Sequence, residues 1–362
     1  MNFNIISLPG DGIGPEISKA VVAVLNTIGD KYDHQFTIQE KLIGGAAIDQ
    51  CGVALPEDTL TACKQADAVF LAAIGGPKWD HGSIRPEQGL LKLRAELEVF
   101  ANIRPLTMFP TLQSASPLKP EILAGTDFVI VRELTGGIYF GKRNRGNQST
   151  PQEFASDECK YSVEEIERIA RVAFDLAMQR GKNLTSVDKA NVLETSKLWR
   201  EVVSRVGATE YPDVELTHQL VDSCAMKLIQ SPSEFDVVLT ENLFGDILSD
   251  EASVLAGSMG LLASSSVGTK YGLFEPIHGS APDIAGKGIA NPYATILSIA
   301  MMLRWLKLVD EANDIEQAVS AAIEKGILTL DLKSESCVTT QQAIDAVINE
   351  IKRLKSVSNN HE

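Results

Sequence analysis

The sequence predicts a two-domain α/β protein, and three observations carry that expectation. Its 362 residues exceed the commonest single-domain size and suffice for two hydrophobic cores. Short apolar runs of strand length alternate with helical patterns in "FNIISLPGDG", "ADAVFLAAIGG", "TDFVIVREL", "NLTSVDK" and "EFDVVLTEN". From Ala294 onward only helical periodicity remains. In open α/β sheets ligands gather at the carboxyl ends of strands, so the residues just after these runs are where chemistry is expected.

The first run leads into Gly10, Gly12 and Gly14. A GxGxxG dinucleotide fingerprint starting at Gly10 needs glycine at position 15, where Pro15 stands, and proline suits a first helical turn instead. A glycine-rich turn without a cofactor role is the better reading. In "PEQGLLKLRAELEVF" a helix places Leu90, Leu93, Leu97 and Phe100 on one core-facing stripe, with Glu87, Leu91 and Arg94 on a neighbouring one. Leu91 is thus apolar where the core does not demand it, and Leu90 lies between the two faces.

Lys189 closes the fourth run ahead of a helix expected from about Ala190 to Val206, and the positive end of a helix disfavours an ammonium. Asp246 and Asp250 lie four apart in "NLFGDILSDEAS", behind a possible Asn242 cap, so on a helix they share a face. Their oxygens suit Mg²⁺ or Mn²⁺, but from these residues alone a solvated acidic face is the favoured reading. The segment Glu275 to Pro292 is too irregular for helix or strand and offers backbone N–H groups, His278, Asp283 and Asn291 to a polar ligand. Functional and purely structural readings of this loop stand level. Helices are expected over Ala294 to Leu308, over Ile315 to Lys325, and where Ile344, Val347, Ile348, Ile351 and Leu354 share a face, with disorder from Ser356.

Composition narrows the function classes. Hydrophobic residues at 44% and charged residues at 22% describe a globular protein, which excludes a disordered chain. A net charge of -15 repels nucleic acid and anionic membranes, so an anionic substrate needs a local cationic pocket. The start "MNFN" has no basic leader and the longest uncharged stretch, Ala252 to Thr269, is too rich in glycine and serine to span a membrane, so a cytoplasmic protein is expected. Five scattered cysteines without a CxxC pair point to reduced, structural thiols.

Taken together, "GDGIGPE", "LRAELEVFANIRP", "VDKANVL", "NLFGDILSDEAS" and the Glu275 to Pro292 loop resemble the isocitrate/isopropylmalate dehydrogenase family of β-decarboxylating dehydrogenases, most closely its isopropylmalate-oxidising members. Five motifs in order are far more specific than any one. The resemblance implies that family's two-domain fold rather than a Rossmann fold, with residues 1–104 and 257–362 binding the cofactor and 105–256 serving substrate, metal and dimerisation. It implies a homodimer with shared active sites, no nucleic-acid or membrane partner, and 3-isopropylmalate as the substrate, oxidised by NAD⁺ with Mg²⁺ or Mn²⁺ in leucine biosynthesis.

The resemblance also implies residue roles. Tyr139 matches the general acid and Lys189 the base, while Asp222 joins Asp246 and Asp250 as metal ligands and also contacts substrate. Arg94, Arg104 and Arg132 match a dicarboxylate clamp, with Glu87, Leu90 and Leu91 in the segment that selects the side group. Gly75, Gly76 and Pro77, and the stretch with His278, Gly279, Ser280, Ala281, Asp283 and Asn291, match the dinucleotide site. Asp283 there would bind ribose hydroxyls and repel a 2′-phosphate. The helices matching Thr217 to Ile229 and Leu243 to Ala256 are expected to pair across the dimer, and Lys189 and Asp222 to reach into the site of the partner subunit.

Overall fold

A computed structural model describes residues 1–332 and 336–354, so the tail from residue 356 lies outside the described residues. The chain forms two compact units: Met1–Glu98 with Phe109–Ser116 and Ala256–Glu362, and Val99–Met108 with Pro117–Leu255.

In the first unit the strands run in the order Gln35–Glu40, Asn2–Gly10, Ala68–Ala73, Gly272–Pro276 and Ala263–Val267. The first four are parallel and the last is antiparallel to its neighbour. Ala68–Ala73 is buried throughout, as its unbroken apolar run requires of a central parallel strand. Its core receives Val21, Val24, Leu25 and Ile28 from the helix Lys19–Tyr32, together with the inner faces of Tyr293–Trp305, Val309–Glu324 and Thr340–Arg353. The last of these begins in a capping box between Thr339 and Gln342 and buries Ile344, Val347 and Ile351, the apolar stripe seen in the sequence.

The second unit orders Ala101–Thr107, Asp127–Glu133, Val237–Thr240, Asn183–Asp188 and Glu215–Leu220. The first pair is antiparallel and the others are parallel. All five apolar runs noted above are strands, and two of them, Asp127–Glu133 and Val237–Thr240, sit side by side with Arg132 opposite Thr240. The helix Val163–Gln179 starts in a Ser162–Glu165 capping box and buries Ile166, Ile169, Ala170, Ala173, Phe174 and Ala177. Helices Val221–Gln230 and Asn242–Ser253 pack on each other.

Three boundaries differ from expectation. The helix after Lys189 begins at Glu194, because Ala190 to Leu193 form a turn held by Lys189 O, which accepts from Val192 N and Leu193 N at 2.9 and 3.0 Å. Residues Thr217 to Leu220, expected in a helix, complete an edge strand, and the helix starts at Val221. The residue capping Asn242–Ser253 is Glu241, whose carboxylate accepts from Phe244 N at 2.7 Å, which frees the Asn242 side chain for other work.

Among the described residues no helix is long and apolar enough to cross a membrane. The serine-rich stretch supplies instead the buried strand Ala263–Val267. The five cysteines are free thiols. Burial pushes Cys63 and Cys224 up to about 12, which keeps them protonated.

Candidate active site

In the second unit the carboxyl ends of two neighbouring strands meet the start of one helix, and the cationic and acidic candidates converge there. Arg132, only 4% exposed, leaves the strand Asp127–Glu133 and lies along the helix Asn242–Ser253. Gly245 permits this approach, since a Cβ there would stand 2.2 Å from Thr240 Oγ1 and 2.7 Å from Arg132 Cγ. Arg132 Nε and Nη2 donate to Asn242 Oδ1 at 3.0 and 2.7 Å, and Nη1 donates to Asp246 Oδ1. Asn242 in turn donates from Nδ2 to Leu134 O and Gly136 O at 3.1 and 3.0 Å. One buried amide thus fixes the guanidinium plane and the Leu134–Gly136 turn that leads to Tyr139.

Tyr139 donates its hydroxyl to Asp246 Oδ2 at 2.6 Å, and the Arg132 guanidinium lies 5.6 Å from its ring centre. Burial raises the phenol above its ordinary value, and the Asp246 hydrogen bond and charge raise it further against the opposing pull of Arg132. The hydroxyl therefore keeps its proton at neutral pH, as a proton donor must. Burial pushes Asp246 the other way from its neighbours, but Arg132, the Tyr139 hydroxyl and Arg104 win and hold the carboxyl below its usual range.

One turn further on, Arg104 donates from Nε to Asn102 Oδ1 at 2.7 Å and from Nη1 to Ser249 Oγ at 2.5 Å. Its Nη1 is also 3.6 Å from Asp250 Oδ1. The Asp246 and Asp250 side chains are 37% and 63% exposed, so hard oxygen donors on one helical face remain open to a cation. That donor set fits Mg²⁺ or Mn²⁺.

Lys189 and Asp222 form a separate pair. Asp188, 1% exposed, holds the turn by accepting from Ala190 N at 2.9 Å and from Arg200 Nε and Nη2 at 2.8 and 2.9 Å. Lys189 N donates to Ser196 Oγ at 3.0 Å and its ammonium donates to Asp222 Oδ1 at 2.5 Å. Contrary to the expectation from the sequence, Lys189 therefore does not stand at the positive end of a helix: its ammonium meets a carboxylate, and the helix begins one turn later. The hydrogen bond from Lys189 draws Asp222 below its usual range. Among the described residues of one chain no three His, Cys, Asp or Glu side chains are gathered so as to hold a metal ion, so Asp222 does not join Asp246 and Asp250 within a single chain.

The first unit carries the remaining candidates. Glu87 is exposed on the helix Pro86–Glu96, Leu90, Leu91 and Arg94 are half-buried, and Leu93 and Leu97 are fully buried. Arg94 Nη2 pairs with Glu275 Oε1 at 2.7 Å. Gly75, at φ +103, follows the central strand, and a Cβ there would stand 2.8 Å from Glu87 Oε1. Gly76 and Pro77 lead into a short 3-10 turn, Pro77–Trp79.

In the glycine-rich loop, Gly279 and Asp283 are exposed, Ala281 is half-buried with φ +39, and Ser280 is 6% exposed with its carbonyl accepting from Ile13 N at 2.8 Å. His278 Nδ1 lies 3.0 Å from Gly279 O, and burial holds the ring below its ordinary pKa. Asn291 is tied up internally: Oδ1 accepts from Tyr293 N at 2.9 Å and Nδ2 donates to Asp331 Oδ2 at 3.0 Å.

Asn242, Ser249, Asn102 and Asp188 orient these side chains, and the sequence assigns none of them that role. Only Asn242, in "TENLFGD" between a strand and a helix, carried a signal, and it read as a cap.

The sequence pattern of the isocitrate/isopropylmalate dehydrogenases matches residues 4–347. The chain belongs to that family. It is 55% identical over 361 residues to 3-isopropylmalate dehydrogenase of Pseudomonas fluorescens, covering 98% of this chain and 100% of the relative. The Aquifex aeolicus 3-isopropylmalate dehydrogenase is 51% identical, with 98% of both chains covered. Among solved structures, isocitrate dehydrogenase from Methylococcus capsulatus superposes with a TM-score of 0.87 at 37% identity, covering 97% of this chain and 99% of that one.

Proposed function

We propose that this family member catalyses the NAD⁺-linked oxidative decarboxylation of (2R,3S)-3-isopropylmalate to 4-methyl-2-oxopentanoate, CO₂ and NADH, the oxidative step of leucine biosynthesis. The observation that carries the reading is the convergence of Arg104, Arg132, Tyr139, Asp246 and Asp250 on one helix face. Guanidinium forks there supply the local positive charge that a chain of net charge -15 needs to hold a malate dianion. Arg94 is assigned to the same clamp.

Mg²⁺ or Mn²⁺ would be held by Asp246, Asp250 and the Asp222 carboxylate of a second copy. A cation held there would supply Lewis-acid polarisation of the C2 hydroxyl and charge stabilisation of that oxygen during decarboxylation. Lys189 of that second copy, as the free amine, would accept the hydroxyl proton as the C2 hydride is transferred to NAD⁺. Tyr139 then delivers its proton to C3 of the enolate, a role that suits a phenol whose pKa burial and Asp246 have raised.

Leu90 and Leu91 receive the isopropyl group. Burying its three carbons gains about 2 kcal/mol, whereas an unpaired carboxylate there, as in isocitrate, costs several times more. NAD⁺ is favoured over NADP⁺ because a 2′-phosphate beside Asp283 is repelled by roughly 4 kcal/mol at contact with an effective dielectric near 20. A homodimer follows from the need for Asp222. Met226 and Ile247, 60% and 57% exposed on the paired helices Val221–Gln230 and Asn242–Ser253, offer the apolar surface for it.

The test is product analysis. Purified protein with Mn²⁺, NAD⁺ and 3-isopropylmalate should form NADH, CO₂ and 4-methyl-2-oxopentanoate in equal amounts, and chelation should stop all three. A 2-oxo acid that retains the second carboxylate, or no product, refutes the reading.

A further inference from the structure

The turn "GDGIGPE" carries no fingerprint, yet both carboxylate oxygens of its aspartate are committed to backbone amides. Asp11 is 4% exposed, and its three hydrogen-bond donors are all backbone amides. Oδ2 accepts from Gly75 N at 2.8 Å and from Gly45 N at 2.9 Å, while Oδ1 accepts from Ala46 N at 2.8 Å. Gly45 and Ala46 open the helix Gly44–Cys51, so the carboxylate also meets the positive end of that helix. Gly75 opens the segment Gly75–Pro77.

The same turn grips the second cofactor candidate. Ile13 N donates to Ser280 O at 2.8 Å, and Gly12, at φ +57, would drive a Cβ to 2.0 Å from that carbonyl. Asp11 N donates to Ala73 O at 3.0 Å, locking the turn to the strand that feeds Gly75. One turn therefore binds the starts of both segments assigned to the dinucleotide. A neutral amide cannot replace the carboxylate, because with its oxygen on Gly75 and Gly45 its NH₂ group faces the Ala46 N–H donor to donor.

We propose that Asp11 is a positioning residue for the dinucleotide: it fixes the Gly75–Pro77 segment, through Gly75 N–H, in the conformation that receives the cofactor. The inference rests on the functional reading above for the identity of the cofactor.

The test compares Asp11→Asn with Asp314→Asn. Asp314 accepts from Lys31 and Tyr32 in the helical core of the same unit, away from these loops, and serves as a matched loss of a buried carboxylate. NADH binding is titrated by nucleotide fluorescence, and KM is measured separately for NAD⁺ and 3-isopropylmalate. Asp11→Asn should weaken NADH binding and raise the NAD⁺ KM at least tenfold, with the 3-isopropylmalate KM changed less than threefold and faster amide exchange in peptides covering residues 44–46 and 75–77. Asp314→Asn should lower the melting temperature without moving nucleotide binding. Equal effects of the two variants, an unchanged NADH affinity, or an Asp11→Asn protein that does not fold assigns Asp11 a structural role and overturns the proposal. Wild-type protein that binds NADH but does not turn over 3-isopropylmalate refutes the functional reading alone, since the binding comparison still stands. Wild-type protein that does not bind NADH overturns both.

Discussion

Replacing Asn242 with alanine removes four hydrogen bonds around a residue that is 1% exposed. Two come from the Arg132 guanidinium, which is itself buried, and two go to the carbonyls of Leu134 and Gly136. A lost hydrogen bond to a charged group costs about 1.5–3 kcal/mol and each neutral one about 0.5–1.5, so losing two of each should lower stability by at least about 4 kcal/mol. The guanidinium also loses the group that sets its plane, and the turn leading to Tyr139 is released. Urea unfolding followed by circular dichroism and tryptophan fluorescence should show the midpoint fall. In the folded variant the KM for 3-isopropylmalate should rise about tenfold, equivalent to ~1.4 kcal/mol. A loss below 1 kcal/mol with KM unchanged would refute the claim that Asn242 organises the site.

Other expectations follow from single side chains. Leu91→Ser should lower kcat/KM for 3-isopropylmalate by about 30-fold, the equivalent of ~2 kcal/mol of lost isopropyl burial, and steady-state kinetics with the two enzymes will measure it. His218, whose Nε2 lies 2.8 Å from Ser204 Oγ, is held below its ordinary 6.5 by burial and by Arg200, against the pull of Asp188. Its unfolded form takes up the proton first, so the stability it contributes is complete above 6.5 and is lost as pH falls through the window below it. Melting temperatures across that window should fall in the wild type and stay flatter in His218→Gln. Ile247→Asp should give a monomer by analytical ultracentrifugation that lacks turnover, and an active monomer would contradict the shared site.

The parts of the fold legible in the sequence were those with strong periodicity. Ala68–Ala73 and Val237–Thr240 are buried on both faces and read as unbroken apolar runs. Gln35–Glu40 and Glu215–Leu220 are sheet edges whose residues alternate with solvent, and in the second the polar "ELTHQL" merged with the helix behind it. Ala263–Val267 is buried but serine-rich, so polarity hid a strand.

At the site, Asp246 and Asp250 share a face because their spacing demands it, while the side chains that meet them there are set by the fold. Arg104 and Arg132 reach them from strands more than a hundred residues earlier in the chain, a pairing that no local pattern encodes. The helix start expected just after Lys189 is displaced by the Ala190 to Leu193 turn, which no local pattern announces. The role of Asp11 is invisible in its motif, since its partners are backbone amides and its spacing to them is set by three-dimensional packing.

The central claim is the identity of the substrate, and one panel tests it most directly: kcat/KM for 3-isopropylmalate, isocitrate, homoisocitrate and tartrate, each with NAD⁺ and with NADP⁺ in the presence of Mn²⁺. The account predicts that 3-isopropylmalate with NAD⁺ exceeds every other combination by at least about 30-fold, the ~2 kcal/mol of isopropyl burial taken as a floor. Equal or faster turnover of isocitrate, or a preference for NADP⁺, would contradict it.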